Sequence, residues 1–410
     1  MTDGDRRKFL KTGLAGLAGA AALPATAFGG PEEKDEKKPE AGKKEKLPTR
    51  TLGRTGLELP VVNMGVMNAE SPALVKAALD SGMLLLDTAH YYQRGRNEEM
   101  VGEVVKDIPR ESFYVATKGR PSAVDRAAMQ DADQVPDETT ESFVEKLDLS
   151  LKRLGLDYVD ILYQHSAKSA KDAKIEPIVM AMEKLKKDGK IRFIGISTHR
   201  NEPEVIRAAI EMKIYDVIEV AYNFRQRHRK EVGLAIAEAA KAGIGIVAMK
   251  TQAGVYWDRD RTKKIDMKAA LKWVLQDKNV HTAIPGFTTF DQLEEDLAVM
   301  ADLELSPKEK EALDLGEVLG MPGLYCPGCG ECRAGCARGL DIPSIMRSYM
   351  YAYGYRNLGA SRAALAACMP DAGPCDGCTI CGVKCPQGFD VREKIADIAR
   401  LRDVPAEFVT

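Results

Sequence analysis

The sequence predicts an α/β protein, a (β/α)8 TIM barrel followed by a small module built around cysteine. Three observations carry that expectation. Short apolar runs ending on an ionisable group recur along the chain: residues 83–92 read MLLLDTAHYY, FYVATK ends at Lys118, and YVDILYQH ends at His165. Runs that are apolar without alternation suit parallel strands buried on both faces. With 410 residues the chain has room for a barrel of about 250 residues and flanking segments. All nine cysteines fall between Cys326 and Cys385, which sets the tail apart from a barrel that has none.

In chain order, residues 1–27 come first. Arg6-Arg7-Lys8-Phe9-Leu10-Lys11, an Ala/Gly-rich stretch and the small-residue site Ala25-Thr26-Ala27 resemble a twin-arginine export signal. The resemblance implies a periplasmic or otherwise exported protein and the twin-arginine translocase as a partner. The apolar stretch is shorter than the roughly 17 residues a membrane-spanning helix needs, so no stable membrane span is expected. Residues 28–48 hold six lysines, six acidic residues and almost nothing to bury, as expected of a disordered linker.

The barrel is placed at 49–320 and the cysteine module at 321–410. Strands are expected near 59–65, 84–89, 113–118, 158–163, 191–197, 217–222, 244–249 and 282–285, with helices between them. Residues 138–154 and 229–242 have the clearest amphipathic spacing. The loop 119–137 is long for a βα connection and is expected to shape the substrate mouth. Tyr256 and Trp257 either join it there or pack under their own loop.

In such a barrel the carboxyl ends of the strands converge on one face. Asp87, Tyr92, Lys118 and His165 would then share a pocket, and their chemistry suits carbonyl reduction. Tyrosine, with a pKa of about 10, is a poor proton donor unless tuned. A lysine beside it favours the phenolate, and an aspartate holds that lysine and offsets its charge. His165 would orient the carbonyl or share in proton transfer.

The stretches TLGRTGLELPVVNMG, DTAHYYQRGRNEEMVGEVV, VATKGRP, YVDILYQH, IGIST and IPGFTTFDQLEEDL follow one another as in the aldo-keto reductases, over residues 49–319. The resemblance implies that Asp87, Tyr92, Lys118 and His165 are the catalytic tetrad, with Tyr92 as proton donor. It also implies NADH or NADPH, with the nicotinamide after the fifth to seventh strands and the adenosine phosphates after the seventh and eighth, held by Ser197, Glu219, Lys250, Gly286, Gln292 and Glu295. Glu219 stands where the family usually has Gln. Gly286 and Gln292 stand where NADPH-type members often have cations, with Glu294, Glu295 and Asp296 following. A carboxylate about 6 Å from a phosphate charge costs roughly 3 kcal/mol at an effective dielectric near 20. Preference for NADP is therefore not expected, and nucleotide use is left open.

In the tail, Cys326, Cys329, Cys332 and Cys336 are spaced 2-2-3, and Cys375, Cys378, Cys381 and Cys385 repeat the spacing. The pattern resembles bacterial two-cluster ferredoxins, in which the fourth cysteine of each run ligates the other cluster. It implies two [4Fe-4S] clusters, one on Cys326, Cys329, Cys332 and Cys385, the other on Cys375, Cys378, Cys381 and Cys336. Ala337 replaces the usual proline after the first run, and the long interval containing SIMRSYMYAYGYRN and SRAALAACM reads as helix, so a largely helical ferredoxin-type domain is expected. Cys368 reads as a packed helix residue.

A net charge of -2 with 29% charged residues points to no nucleic-acid partner. The first reading is an exported oxidoreductase that interconverts a small-molecule carbonyl and alcohol and exchanges single electrons, through its clusters, with a redox partner protein or quinone. A second is a cluster-bearing electron-transfer or binding protein that keeps the barrel as a scaffold, with no nicotinamide turnover. In a third, the clusters only staple the tail over the pocket.

Overall fold

A computed structural model describes residues 47–120, 139–319, 321, 323–369, 373–405 and 408. The export signal, almost all of the linker and the loop beyond Arg120 lie outside the described residues.

Strands β1 (Thr49–Thr51) and β2 (Glu58–Pro60) form an antiparallel hairpin. Eight parallel strands follow, each paired with the next: β3 (Met64–Gly65), β4 (Leu85–Asp87), β5 (Tyr114–Gly119), β6 (Val159–Ala167), β7 (Ile191–Thr198), β8 (Val217–Ala221), β9 (Gly245–Met249) and β10 (Thr282–Ala283). Val62 bridges Ala283 in parallel, and Asn63 N donates to Ala283 O at 2.8 Å, which brings the last strand back to the first.

Three expected strands are markedly shorter than placed, the second, 84–89, running only Leu85–Asp87. Residues 59–65 divide between hairpin and barrel, and the Asn63 side chain does the work of a ladder between them: it accepts from Leu84 N and Leu85 N at 2.8 and 2.9 Å and donates to Pro60 O at 2.8 Å. The last strand stops before Pro285, which has no N–H to give a ladder.

Leu52 and Leu59 of the hairpin region pack with Leu85, Ala116, Ile161, Tyr163, Val217 and Val247 inside the barrel. A larger core lies between strands and helices, with Val75, Val101, Leu147, Ile178 and Val205 among its members. The helix expected at 138–154 runs Thr140–Leu154. Thr139 caps it by accepting from Ser142 N at 3.0 Å, and Gly155 ends it at a φ of 64°. The helix expected at 229–242 runs Arg229–Lys241.

The tail is helical, as expected. Helices Ile342–Tyr349, Leu358–Cys368 and Val391–Ala399 enclose Ile345, Met346, Leu365, Ile395 and Ile398, and the first passes into a π-helical turn at Met350–Gly354. Among the described residues no helix is long and apolar enough to cross a membrane.

Candidate active site

Parallel register sets Asp87 opposite Ala116, Lys118 opposite Tyr163, and Ser197 opposite Glu219 at the carboxyl ends of the strands. Lys118, 1% exposed, hydrogen-bonds Asp87 and donates to Thr88 O at 2.8 Å. Its ammonium also stands 3.5 Å from Glu219 Oε2, so one buried cation lies between two buried carboxylates. Charges are rarely buried without such pairing. Asp87 Oδ2, Glu219 Oε2 and the Tyr163 hydroxyl have no hydrogen-bond partner among the described residues. Buried polar atoms are seldom left so, and three around one lysine mark a place suited to polar substrate atoms.

Tyr92 opens the short turn Tyr92–Gly95 after β4, in which Gln93 and Arg94 take left-handed backbone with φ of 50° and 60°. A buried network pins this turn. Thr88 donates to Asn97 Oδ1 at 2.6 Å, Asn97 Nδ2 donates to Val66 O at 2.8 Å, and Arg153 donates to His90 O at 2.7 Å and to Glu98 Oε2 at 3.2 Å. At Gly95, with φ of 93°, an added Cβ would lie 2.4 Å from the Arg153 guanidinium carbon, so only glycine lets the arginine pass.

The four expected residues gather, and a fifth, Tyr91, joins them. The Tyr91 hydroxyl lies 2.8 Å from Nδ1 and 2.9 Å from Nε2 of His165, and the two rings stack with centroids 5.0 Å apart. Tyr92 meets His165 edge-on at 6.1 Å. Lys118 faces the Tyr92 ring, 5.4 Å from its centroid, and donates to Asp87 and Thr88 rather than to the Tyr92 hydroxyl. Tyr91 has no signature in the sequence beyond standing beside Tyr92 in the turn.

Burial pushes the Tyr92 phenol well up, and Tyr91, Asp87 and Glu219 push it the same way. Tyr91 is pushed up to about 12, also by burial. Burial, with Arg120, Lys118, Lys250 and Arg347 nearby, holds the His165 imidazole well below its usual range, so the ring is neutral. Burial and the Asp87 charge push Glu219 up to about 8, against the pull of Lys118. Asp87 is raised by burial and drawn back by Lys118. The site thus holds two protonated tyrosines and a neutral histidine around one lysine.

In the tail the thiols gather crosswise. Burial pushes Cys326 up to about 12, with Cys329, Cys332 and Cys385 as its neighbouring thiols. Cys375 is raised by burial with Cys378, Cys381 and Cys336 around it. The two runs cross at their glycines: a Cβ on Gly335 would meet Gly382 O at 2.4 Å. None of the nine cysteines is in a disulfide, and Cys368 lies within its helix, Sγ 3.2 Å from Ala364 O. Among the described residues no three His, Cys, Asp or Glu side chains are drawn together as a single metal ion would need. A cubane cluster, with iron at alternate corners, takes its four thiolates further apart, and two sets of four thiols fit two of them in number and grouping.

Residues 62–269 match the aldo/keto reductase family, and residues 325–390 match a 4Fe-4S dicluster domain. The chain belongs to the aldo/keto reductase family. It is similar to L-galactose dehydrogenase of Arabidopsis thaliana, 27% identical over 316 residues that make up 68% of this chain and 95% of the relative. An aldo-keto reductase of Schizosaccharomyces pombe, whose name specifies NADP(+), is 26% identical over 341 residues, 70% of this chain and 96% of the relative. The fold is that of a Bacillus halodurans aldo-keto reductase, at a TM-score of 0.52 and 23% identity over 66% of this chain and 96% of the other. This chain is therefore an oxidoreductase of the aldo/keto reductase family carrying a 4Fe-4S dicluster domain.

The residues of this aldo-keto reductase expected to hold a nucleotide are engaged otherwise. Ser197 is fully buried and its hydroxyl accepts from Ser166 N at 2.9 Å. Glu219 is turned to Lys118. Lys250, at a φ of 55°, lies beside Glu219, Glu202 and Cys326. Gly286 runs against Gly65 O. Gln292 accepts from Thr288 N at 2.8 Å in its own loop, and Glu295 pairs with Lys264 at 3.5 Å on the surface. Behind them Asp296 is buried and pushed up to about 8 by burial and by Glu295. Trp257 is 2% exposed and packs under its own loop against Ile265 and Ala269, and Tyr256 packs against the core of the cysteine module.

Proposed function

We propose that the chain interconverts a small-molecule carbonyl and its alcohol at the Asp87, Tyr92, Lys118 and His165 site, exchanging electrons singly with an outside carrier. The supporting observation is Lys118, buried between Asp87 and Glu219 beneath the Tyr92 ring, with His165 held by Tyr91 at the same strand ends. In the reducing direction the balance is one carbonyl, two electrons and two protons giving one alcohol. The carrier is a one-electron redox protein or a quinol, and the clusters, when bound, supply single-electron transfer between it and the barrel. Cys326, Cys329, Cys332 and Cys385 would hold one cluster, and Cys375, Cys378, Cys381 and Cys336 the other.

The chain's own part is binding and proton delivery. Neutral His165 Nε2 or Nδ1, whichever Tyr91 leaves available, hydrogen-bonds the substrate oxygen. Tyr92, protonated throughout the neutral range, gives that oxygen one proton, and the second proton, which makes the new C–H bond as the second electron arrives, comes from solvent. Lys118 and Asp87 then steady the phenolate until it is reprotonated.

Export by the twin-arginine route, from Arg6-Arg7 and Ala25-Thr26-Ala27, belongs to the same proposal, because that route carries folded proteins with cofactors already inserted. The scaffold reading draws support from one observation, the engagement of Ser197, Glu219, Gln292 and Glu295 with other protein groups. Incubation of the anaerobic holoprotein, reduced with viologen, with a panel of aldehydes, ketones and keto acids separates the two. Stoichiometric alcohol product supports the enzyme, and cluster reoxidation with no alcohol from any of them supports the scaffold.

A further inference from the structure

The family resemblance places a nicotinamide over the loops that follow the fifth to seventh barrel strands, here β7, β8 and β9. In this chain those loops are covered by the chain's own residues. After β7, Arg200 Nε donates to Gly328 O at 3.0 Å, His199 Nδ1 stands 3.2 Å from Arg347, and a Cβ on Gly328 would lie 3.6 Å from His199 O. Following β8, Tyr325 reaches Asn223, Gly323 lies against Arg225, and Arg227 donates to Pro386 O at 3.1 Å. Beyond β9, Ala253 packs with Tyr325 and Met350. Asn223 has no exposed surface, and Ala253 and Tyr325 are 3% and 5% exposed.

We infer that residues 323–328 sit where the family places the nicotinamide, so that this chain binds no nicotinamide nucleotide at the barrel mouth and meets its electrons on the Cys326 side instead. The inference deepens the carbonyl–alcohol reading and rests on it for the substrate end. Two solid objects cannot share the space, and the covering segment is held by the Arg200 side chain on Gly328 O after β7, by Tyr325 reaching Asn223 after β8 and by Tyr325 packing on Ala253 after β9. Withdrawing it would expose Tyr325, Ala253 and Met350 and leave the half-buried Arg200 guanidinium without the Gly328 carbonyl. The engaged states of Ser197 and Glu219 are then a consequence, since no carboxamide arrives to claim them.

The test uses the full-length anaerobic holoprotein with NADH and NADPH, each raised to about a hundred times the micromolar affinities common for substrates of enzymes. Titration calorimetry should show no saturable heat, and backbone hydrogen exchange at residues 197–201, 223–227 and 250–254 should be unchanged by either nucleotide. Saturable binding, slowed exchange in those loops, or deuterium passing from 4-deuterated nucleotide into the alcohol would each overturn the inference. The carbonyl–alcohol reading fails separately, on the absence of alcohol product from chemically reduced protein.

Discussion

The Lys118 ammonium lies 3.5 Å from Glu219, a second acid beside the Asp87 it already bonds. Glu219 is the residue by which this site departs from a simple tetrad. Its carboxyl, ordinarily near 4.5, is pushed up to about 8 by burial and by Asp87, so it gains a proton as pH falls through that value and leaves Lys118 to Asp87. For stability the sign is unfavourable to alkali: the native state holds a proton that the unfolded chain has lost above about 4.5, so the contribution fades as pH rises to about 8 and is gone above it.

The Glu219→Gln variant should therefore lose less stability than the native chain as pH rises from about 4.5 to about 8, the interval between the two pKa values. It should also lack the limb near about pH 8 in the kcat/KM profile that Glu219 gives the native protein. Chemical denaturation and initial rates across that range check both. An unchanged profile would mean that Glu219 does not titrate in the working site.

Tyr91→Phe removes the hydroxyl held at 2.8 Å from His165. One hydrogen bond of about 1 kcal/mol corresponds to about a fivefold change. The expected loss is of that size in kcat/KM and larger in KM than in kcat, because the hydroxyl orients His165 rather than giving the proton. A loss in kcat matching that of Tyr92→Phe would move the donor role to Tyr91.

The crosswise thiols give a prediction that a run-by-run arrangement does not. Cys385→Ser should alter the magnetic signature of the cluster held with Cys326, Cys329 and Cys332, and Cys336→Ser that of the other. Iron analysis of the native anaerobic protein should give about eight atoms per chain. Electron paramagnetic resonance of the reduced variants reads the assignment, and perturbation of the cluster in the same run would reverse it.

The sequence made the strand ends legible because an unbroken apolar run followed by Asp87, Lys118 or His165 leaves few alternatives to a buried parallel strand. It made the thiol sets legible because 2-2-3 spacing twice over is hard to satisfy otherwise. It did not tell Tyr91 from Tyr92. Which of two adjacent tyrosines meets His165 depends on left-handed backbone at Gln93 and Arg94 and on Arg153, more than fifty residues away in the chain. Nor did it show the covered loops. The fit of Gly328 to Arg200 and of Tyr325 to Ala253 joins surfaces that no local pattern marks. The strand ends at Pro60 and Pro285 yielded to proline and to the Asn63 side chain, which sequence periodicity does not weigh.

The central claim is that Tyr92 delivers the proton, and Tyr92→Phe tests it most directly, since it removes one hydroxyl and leaves the ring over Lys118. In anaerobic assays with viologen as electron source, turnover should fall about 100- to 10,000-fold while iron content and thermal stability stay at native levels. Lys118→Met should fall similarly, and the double variant should lose little more, because the two act as one unit. Turnover in Tyr92→Phe equal to that of the native protein would contradict the account.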